Sequence, residues 1–311
     1  MSAYLARRLR NSLLLLVIAS VLCFGLVVAA PGNVAQMVAE LRFPGAPKEM
    51  VDRIAEELGI NDPVPLRYWN WLRGVTRGDF GIGYITGEDV GKSIRDRLPT
   101  TIKLVLGGSI VTIILSSVMG LIGAARPARM PDQAVRFLAL LGASTPVFFG
   151  GAILILVFGV LLQWLPTYGD RSLQSWILPS VTIALSSAAV LSRVLRIGIS
   201  EAMTRPYVLT ARAKGAPMLR IMLLDALPNA VPAYVSALGN MIGAMTIGAI
   251  IVEPLFALHG IGELFVAGIR SRDFMVMQAC LLVFVLYVTL VNLAADLVMI
   301  AVDPKLRRQF A

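Results

Sequence analysis

Charge is scarce in this 311-residue sequence: 15% of the residues are Asp, Glu, Lys or Arg, against 57% hydrophobic, and the mean hydropathy is +0.77. A soluble domain cannot hide that apolar load in one core, so the chain must take lipid as its solvent. Histidine is nearly absent, with His259 alone in a loop that reads as external, and no paired carboxylates stand at a plausible catalytic spacing along one helix. Without a nucleophile beside a base, or an acid beside a base, the chain is expected to be no enzyme in its own right. The two cysteines, Cys23 and Cys280, both fall inside apolar runs, where a thiol behaves as a small hydrophobe. That excludes a disulfide framework and a zinc spacing, and neither a resident metal nor a cofactor is expected. Alternating ten-residue strands are also lacking, which removes a β-barrel and leaves an all-α fold.

Long apolar runs are what the sequence does have. Residues 11 to 30 follow Arg7, Arg8 and Arg10, and their length suits a helix crossing the hydrocarbon. A cleaved signal peptide ending at Val28-Ala29-Ala30 is the rival reading; the apolar run is too long for one. Further runs lie at about 101 to 124, 135 to 162, 177 to 199, 232 to 252 and 275 to 302. Together they predict six transmembrane helices in a single membrane domain covering residues 1 to 311.

The net charge of +9 raises the question of nucleic acid, but the basic residues sit at the ends of apolar runs rather than on a solvated face. They collect in alternate segments. The N-terminus has its three arginines; the second loop has Arg126, Arg129 and Arg136; the fourth has Arg193, Arg196, Arg205, Arg212, Lys214 and Arg220; the tail has Lys305, Arg307 and Arg308. Those segments, and with them both termini, belong on the cytoplasmic side. The third loop offers Arg171 against Asp170, and the fifth balances Arg270 and Arg272 with Glu253, Glu263 and Asp273, so both read as external.

Residues 31 to 100 then form an external insertion between the first and second helices, its charges nearly cancelling. Met50, Ile54 and Leu58 have helical spacing, as do Leu66, Tyr68, Trp69, Trp71 and Leu72. The aromatics suit a packed small cap or membrane-interface anchors better than a ligand cage. Gly87-Glu88-Asp89-Val90-Gly91-Lys92-Ser93 comes near a phosphate-binding loop, yet only three residues separate its glycines and no strand precedes it, so it is rejected as a nucleotide site.

Energy for transport must come from an ion gradient or a partner. A gradient-driven carrier, the alternative class, needs intramembrane ionisable groups. The spans carry few; Asp296 and Glu253, near the ends of the sixth and fifth helices, suit structural or pathway roles.

The fourth loop, residues 200 to 231, is the informative segment. Thr210, Ala211, Arg212, Ala213 and Lys214 lead to Gly215, which can end a helix in a left-handed turn, and Ala216, Pro217 and Arg220 follow. A short helix there offers Ala211 and Ala213 for close packing. The residues alone leave two readings open: a knob that docks on a cytoplasmic protein, or a basic helix held by anionic lipid.

The segment resembles the EAA loop of bacterial ABC importer permeases, with Ala211, Gly215, Leu227 and Pro228 on pattern positions, while Leu209 and Thr210 depart from it, so no glutamate contact is carried over. The likeness runs along nearly the whole chain: the Arg-Arg start, Gly78-Asp79-Phe80-Gly81, Leu98-Pro99-Thr100-Thr101, Leu165-Pro166 before Gly169, Ile177-Leu178-Pro179-Ser180, Val252-Glu253, Gly260-Ile261-Gly262, Arg272-Asp273 and Asp303-Pro304. The chain is similar to the branch that imports dipeptides, oligopeptides and nickel. Leu161 to Gly169 and Tyr84-Ile85-Thr86-Gly87 resemble nickel and metal-chelate members, the EAA-type loop peptide members equally.

That resemblance implies a multi-pass protein of the bacterial inner membrane, half of a pore completed by a homologous second permease. Two cytoplasmic ATPases would hold the ATP and Mg, and an extracytoplasmic binding protein would deliver substrate. The loop from Thr210 to Pro217, with Arg220, would couple to the ATPases, and Gly78, Asp79, Phe80 and Gly81 would meet the binding protein or gate the external mouth.

Overall fold

The structure is a computed structural model, and it describes residues 2–29, 34–170 and 172–302. Ala30, Pro31, Arg171, Asp303-Pro304 and the basic tail residues Lys305, Arg307 and Arg308 lie outside the described residues. Among the described residues the chain is helical without a strand; the one β-type contact is an isolated antiparallel bridge between Ile82 and Asp89.

The elements in chain order are α1 (Ser2–Ala29), α2 (Val34–Arg42), α3 (Lys48–Glu57), α4 (Val64–Val75), α5 (Val90–Ala125), α6 (Met130–Ser144), α7 (Val147–Leu154), α8 (Ile177–Ala202), α9 (Pro206–Ala213), α10 (Met218–Arg220), α11 (Leu227–Leu255), α12 (Ile261–Ser271) and α13 (Phe274–Val302). Two π-helical stretches, Ile155–Leu161 and Ile221–Ala226, follow α7 and α10.

Five of these, α1, α5, α8, α11 and α13, are long and apolar enough to cross a bilayer. The run expected at 135 to 162 differs, because it is two helices, α6 and α7 with its π-helical extension, bent by 110°. The cause is local. Pro146 forces Thr145 out of the helical region, to φ −81° and ψ 121°, and offers no N–H to the Gly142 carbonyl, so the last helical bond runs from the Thr145 N–H to the Leu141 carbonyl, which also accepts the Thr145 hydroxyl at 2.7 Å. A sixth span exists when this bent pair is counted as one. The second span starts earlier than its apolar run, since α5 begins at Val90 and passes through Pro99. Asp89 starts it by accepting the Lys92 N–H on Oδ1 at 3.0 Å.

The chain folds into two compact units. The first comprises residues 1–8, 100–258 and 287–311, and its core is built on α8, the most buried of the five long helices. Leu104, Leu178, Ile183, Met245 and Phe256 fill one cluster, and Leu191, Leu195, Ile199, Met222 and Tyr234 a second. In lipid no hydrophobic force draws helices together, so close backbone approach matters. Gly107 and Gly108 on α5 supply it: a Cβ on either would overlap Ser180 or Ile183 of α8. The second unit comprises residues 9–99 and 259–286. Its small core, Ala35, Val38, Ala39 and Ile54, joins α2 to α3. Phe24 of α1 stacks on Tyr68 and Trp71 of α4 at 5.4 and 5.7 Å, and Ser20 and Tyr68 share a 2.8 Å hydrogen bond.

Candidate functional site

In the first unit the loop after α8 folds into an isolated short helix, α9. Arg205 is extended, and Pro206 occupies the first helical position, where its missing N–H costs nothing. At the other end Gly215 takes φ +78°. Its N–H donates to the Arg212 carbonyl at 2.9 Å, and the Ala216 N–H donates to the Ala211 carbonyl at 3.1 Å. That pair of bonds is a Schellman motif, and glycine fits its left-handed residue without strain. Pro217 then breaks the backbone into α10, which runs through the π-helical turn Ile221–Ala226 into α11.

Val208, fully buried, anchors α9. Thr210, Arg212, Ala213, Lys214, Gly215, Pro217 and Arg220 are exposed, while Ala211 and Ala216 are half-buried. Leu209 is 61% exposed, and Tyr207, Met218 and Leu219 stand open beside the basic side chains. The open surface of the loop is thus both apolar and basic.

Elsewhere in the same unit lies an arrangement that sequence reasoning missed. Asp132, at the start of α6 and fully buried, accepts from Arg196 Nε of α8 at 2.5 Å, from Arg136 Nη2 at 2.8 Å and from the Ala128 N–H at 2.9 Å. Arg136 and Arg196, read from sequence as topology markers, are therefore also the partners of one buried carboxylate. The Asp132/Arg136 spacing of four was readable on a helix; Arg196, 64 residues away, was not.

The two carboxylates singled out from sequence both have partners. Glu253 accepts from Thr101 Oγ1 at 2.6 Å, both groups being buried. Asp296 pairs with Arg8 at 3.0 Å beside a polar cavity of 230 Å³ lined also by Ser236, Asn240 and Asn292.

In the second unit, Gly78 and Gly81 adopt φ +83° and +82°. Between them Asp79 donates its N–H to the Gly74 carbonyl and accepts the Gly81 N–H on Oδ1 at 2.9 Å. Asp79, Phe80 and Gly81 form part of the wall of a 250 Å³ cleft. The turn that follows is held by Asp273, which is buried and accepts the N–H groups of Tyr84 at 3.1 Å and Ile85 at 3.0 Å. Asp273 is set in place by a second Schellman ending, its N–H on the Gly268 carbonyl at 2.8 Å, with Arg272 left-handed at φ +58°. Burial pushes the Tyr84 phenol above its ordinary value, with Arg67 opposing and Asp273 adding to the shift. Arg97 and Glu263 form a further ion pair within this unit. Lys92 and Ser93, at the near-miss phosphate loop, open α5 after a bridge rather than a strand. Among the described residues no group of three or more His, Cys, Asp or Glu could hold a metal.

This geometry defines a class: an all-helical, multi-pass membrane protein that presents a short, separately capped helix at a basic loop. Residues 100–308 match the family described as binding-protein-dependent transport system inner membrane component, and residues 1–105 match its N-terminal companion. The chain belongs to that family, as a permease component of an ABC importer in the inner membrane, within its peptide and nickel branch. It is 34% identical over 304 residues, 98% of each chain, to the glutathione transport system permease protein GsiC of Escherichia coli (strain K12), and equally so to that of Shigella flexneri serotype 5b. Its fold is similar to that of the MetNI methionine ABC transporter in an inward-facing conformation, with a TM-score of 0.58 at 20% identity, covering 68% of this chain and 96% of that one. An amino acid ABC transporter solved with histidines gives 0.53 at 16% identity, covering 67% and 93%. The gradient-driven carrier is not favoured by these relationships.

Proposed function

We propose that this chain forms half of the translocation pathway of an ATP-driven importer of dipeptides or oligopeptides, with nickel or metal-chelate complexes as the neighbouring substrate class. The other half would be a homologous second permease, two cytoplasmic ATPases would bind and hydrolyse the ATP, and an extracytoplasmic binding protein would deliver substrate. On this reading the bent α6–α7 pair counts as one span, which makes six helices, both termini are cytoplasmic and residues 31 to 100 are external. The alternation of basic segments supports that orientation.

The observation that carries the coupling role is α9 itself: one buried side chain, Val208, anchors it, and the Gly215 ending fixes its length, while the rest of it apart from the half-buried Ala211 is open. Thr210 to Pro217 with Arg220 would dock in a groove on the ATPase. ATP favours the closed ATPase pair, and the helix passes that preference to α8 and α11 between which its loop runs. The chain would bind no cofactor of its own. Peptide is preferred for the substrate because the GsiC relatives are named for glutathione, itself a tripeptide. The test is uptake of labelled dipeptide, glutathione and nickel chelate in cells with and without this chain. Loss of peptide flux alone supports the reading, loss of metal flux alone moves the chain to the nickel branch, and no loss of any flux removes the substrate assignment.

A further inference from the structure

Two spans of the first unit, α11 and α13, border the polar cavity of 230 Å³ beside the Arg8–Asp296 pair. Gly239 lets these spans meet, because a Cβ there would overlap that of Ala295. Next to that contact Ser236 and Asn240 of α11 and Asn292 of α13 line the cavity. Asn240 adjoins the middle residue of α11, about 20 Å along the helix from Leu227, which sets it deep in the bilayer. Ser236 and Asn240 are exposed and Asn292 is half-buried, and among the described residues no hydrogen bond engages either side-chain amide. An amide left open to hydrocarbon is costly, so polar side chains at this depth face water or a protein partner. The far side of α13 has the opposite character, with Leu290, Leu297 and Val298 exposed as lipid contact requires. The cavity is also far larger than the ~15 Å³ that one water needs.

We infer that this cavity is part of the passage through the membrane, with Ser236, Asn240 and Asn292 turned to its water and to the substrate that crosses it. A carboxamide has a carbonyl that accepts and an NH2 that donates, the two functions that a peptide bond also offers, so Asn240 and Asn292 pair with the backbone of a passing peptide whatever its side chains. Bonds between neutral groups are weak enough in water to let it go. Arg8 and Asp296, 3.0 Å apart, cancel each other's charge and present no net charge that would hold one end of a zwitterion there. The assignment rests on the importer reading of this chain and adds to it the face that the substrate passes.

The test places single cysteines in the full chain, assembled with its partner subunits in lipid nanodiscs, and treats them with a charged methanethiosulfonate that stays in water. The native Cys23 and Cys280 are buried, so the unsubstituted chain is the blank. Ser236→Cys and Asn240→Cys are expected to react at least about tenfold faster than Leu290→Cys, on the far side of α13 and 55% exposed, because a thiol in hydrocarbon forms no thiolate. Asn240→Leu and Asn292→Leu, of similar size, are expected to keep the Tm and to lower dipeptide uptake about fivefold each, as follows when one neutral hydrogen bond is lost, while Asn240→Gln retains more of the flux. A thiol at position 240 as slow as that at 290 means that lipid or the second permease covers this face, and it overturns the inference, as does normal uptake by both leucine variants. Should Asn240→Cys fail to assemble, Ser236→Cys, one turn away, gives the same reading. Uptake by the unsubstituted chain separates the two ideas: ATP-dependent uptake with an unreactive cavity removes the passage from this face and keeps the importer, whereas no ATP-dependent uptake removes the importer itself.

Discussion

The N–H of Ala216 donates to the carbonyl of Ala211 at 3.1 Å, closing α9 around a left-handed Gly215 whose own N–H holds Arg212. A side chain at position 215 would strain that ending, and a carboxylate there would also sit at the negative end of the helix. Gly215→Asp is expected to lower uptake roughly tenfold, in the range of ordinary coupling energies, while the protein reaches the membrane at normal abundance. Uptake per molecule, with abundance from a blot of the membrane fraction, is the measurement.

The two faces of α9 separate anchoring from docking. Val208→Asp puts a charge where the helix packs and should cost several kcal/mol, seen as a lower Tm of the purified chain. Leu209→Arg changes an exposed position, so the stability should move by less than about 0.5 kcal/mol, leaving the Tm nearly unchanged, while ATPase co-purification falls. If Leu209→Arg retains the ATPase and normal uptake, the exposed face is not the docking surface.

Asp132 joins α6 to α8 through Arg196, and its removal strands a partly buried guanidinium. Asp132→Ala is expected to destabilise by about 3 kcal/mol. Arg196→Ala should cost comparably, and Arg136→Ala less than about 1 kcal/mol, because Arg136 is half-exposed and its pairing is screened by water. Thermal unfolding of the three variants in one detergent gives the order.

In the second unit Asp273 holds the turn after Gly83. Asp273→Ala leaves the Tyr84 and Ile85 N–H groups without their acceptor, at about 1–3 kcal/mol each if they stay buried. Amide exchange should quicken at residues 83 to 87 and leave α8 unchanged. Exchange that quickens everywhere would mean that Asp273 supports the whole chain instead.

Much of the fold was legible because a bilayer-spanning helix writes itself as a long apolar run, and most ends of those runs fall within a few residues of the helices. The bend at Thr145-Pro146 was hidden inside one continuous run, since apolar content reports burial in lipid and not direction. α5 exceeded its run because residues 90 to 100 form polar helix turns outside the apolar stretch. Gly215 was readable from chemistry local to the loop, glycine after a short helix and proline two residues on. Asp132 with Arg196 was not, because the pair joins residues far apart in sequence. Asp273 stood out only as half of an Arg-Asp pair, with no local sign of the turn it holds.

The central claim, transport driven by ATP through partner ATPases, is tested most directly in right-side-out membrane vesicles containing the chain and its partners, with ATP trapped inside and labelled dipeptide outside. Accumulation that requires the trapped ATP, persists when a protonophore collapses the proton gradient and is lost with Gly215→Asp is the predicted result. Accumulation that survives without ATP and vanishes with the protonophore would contradict it.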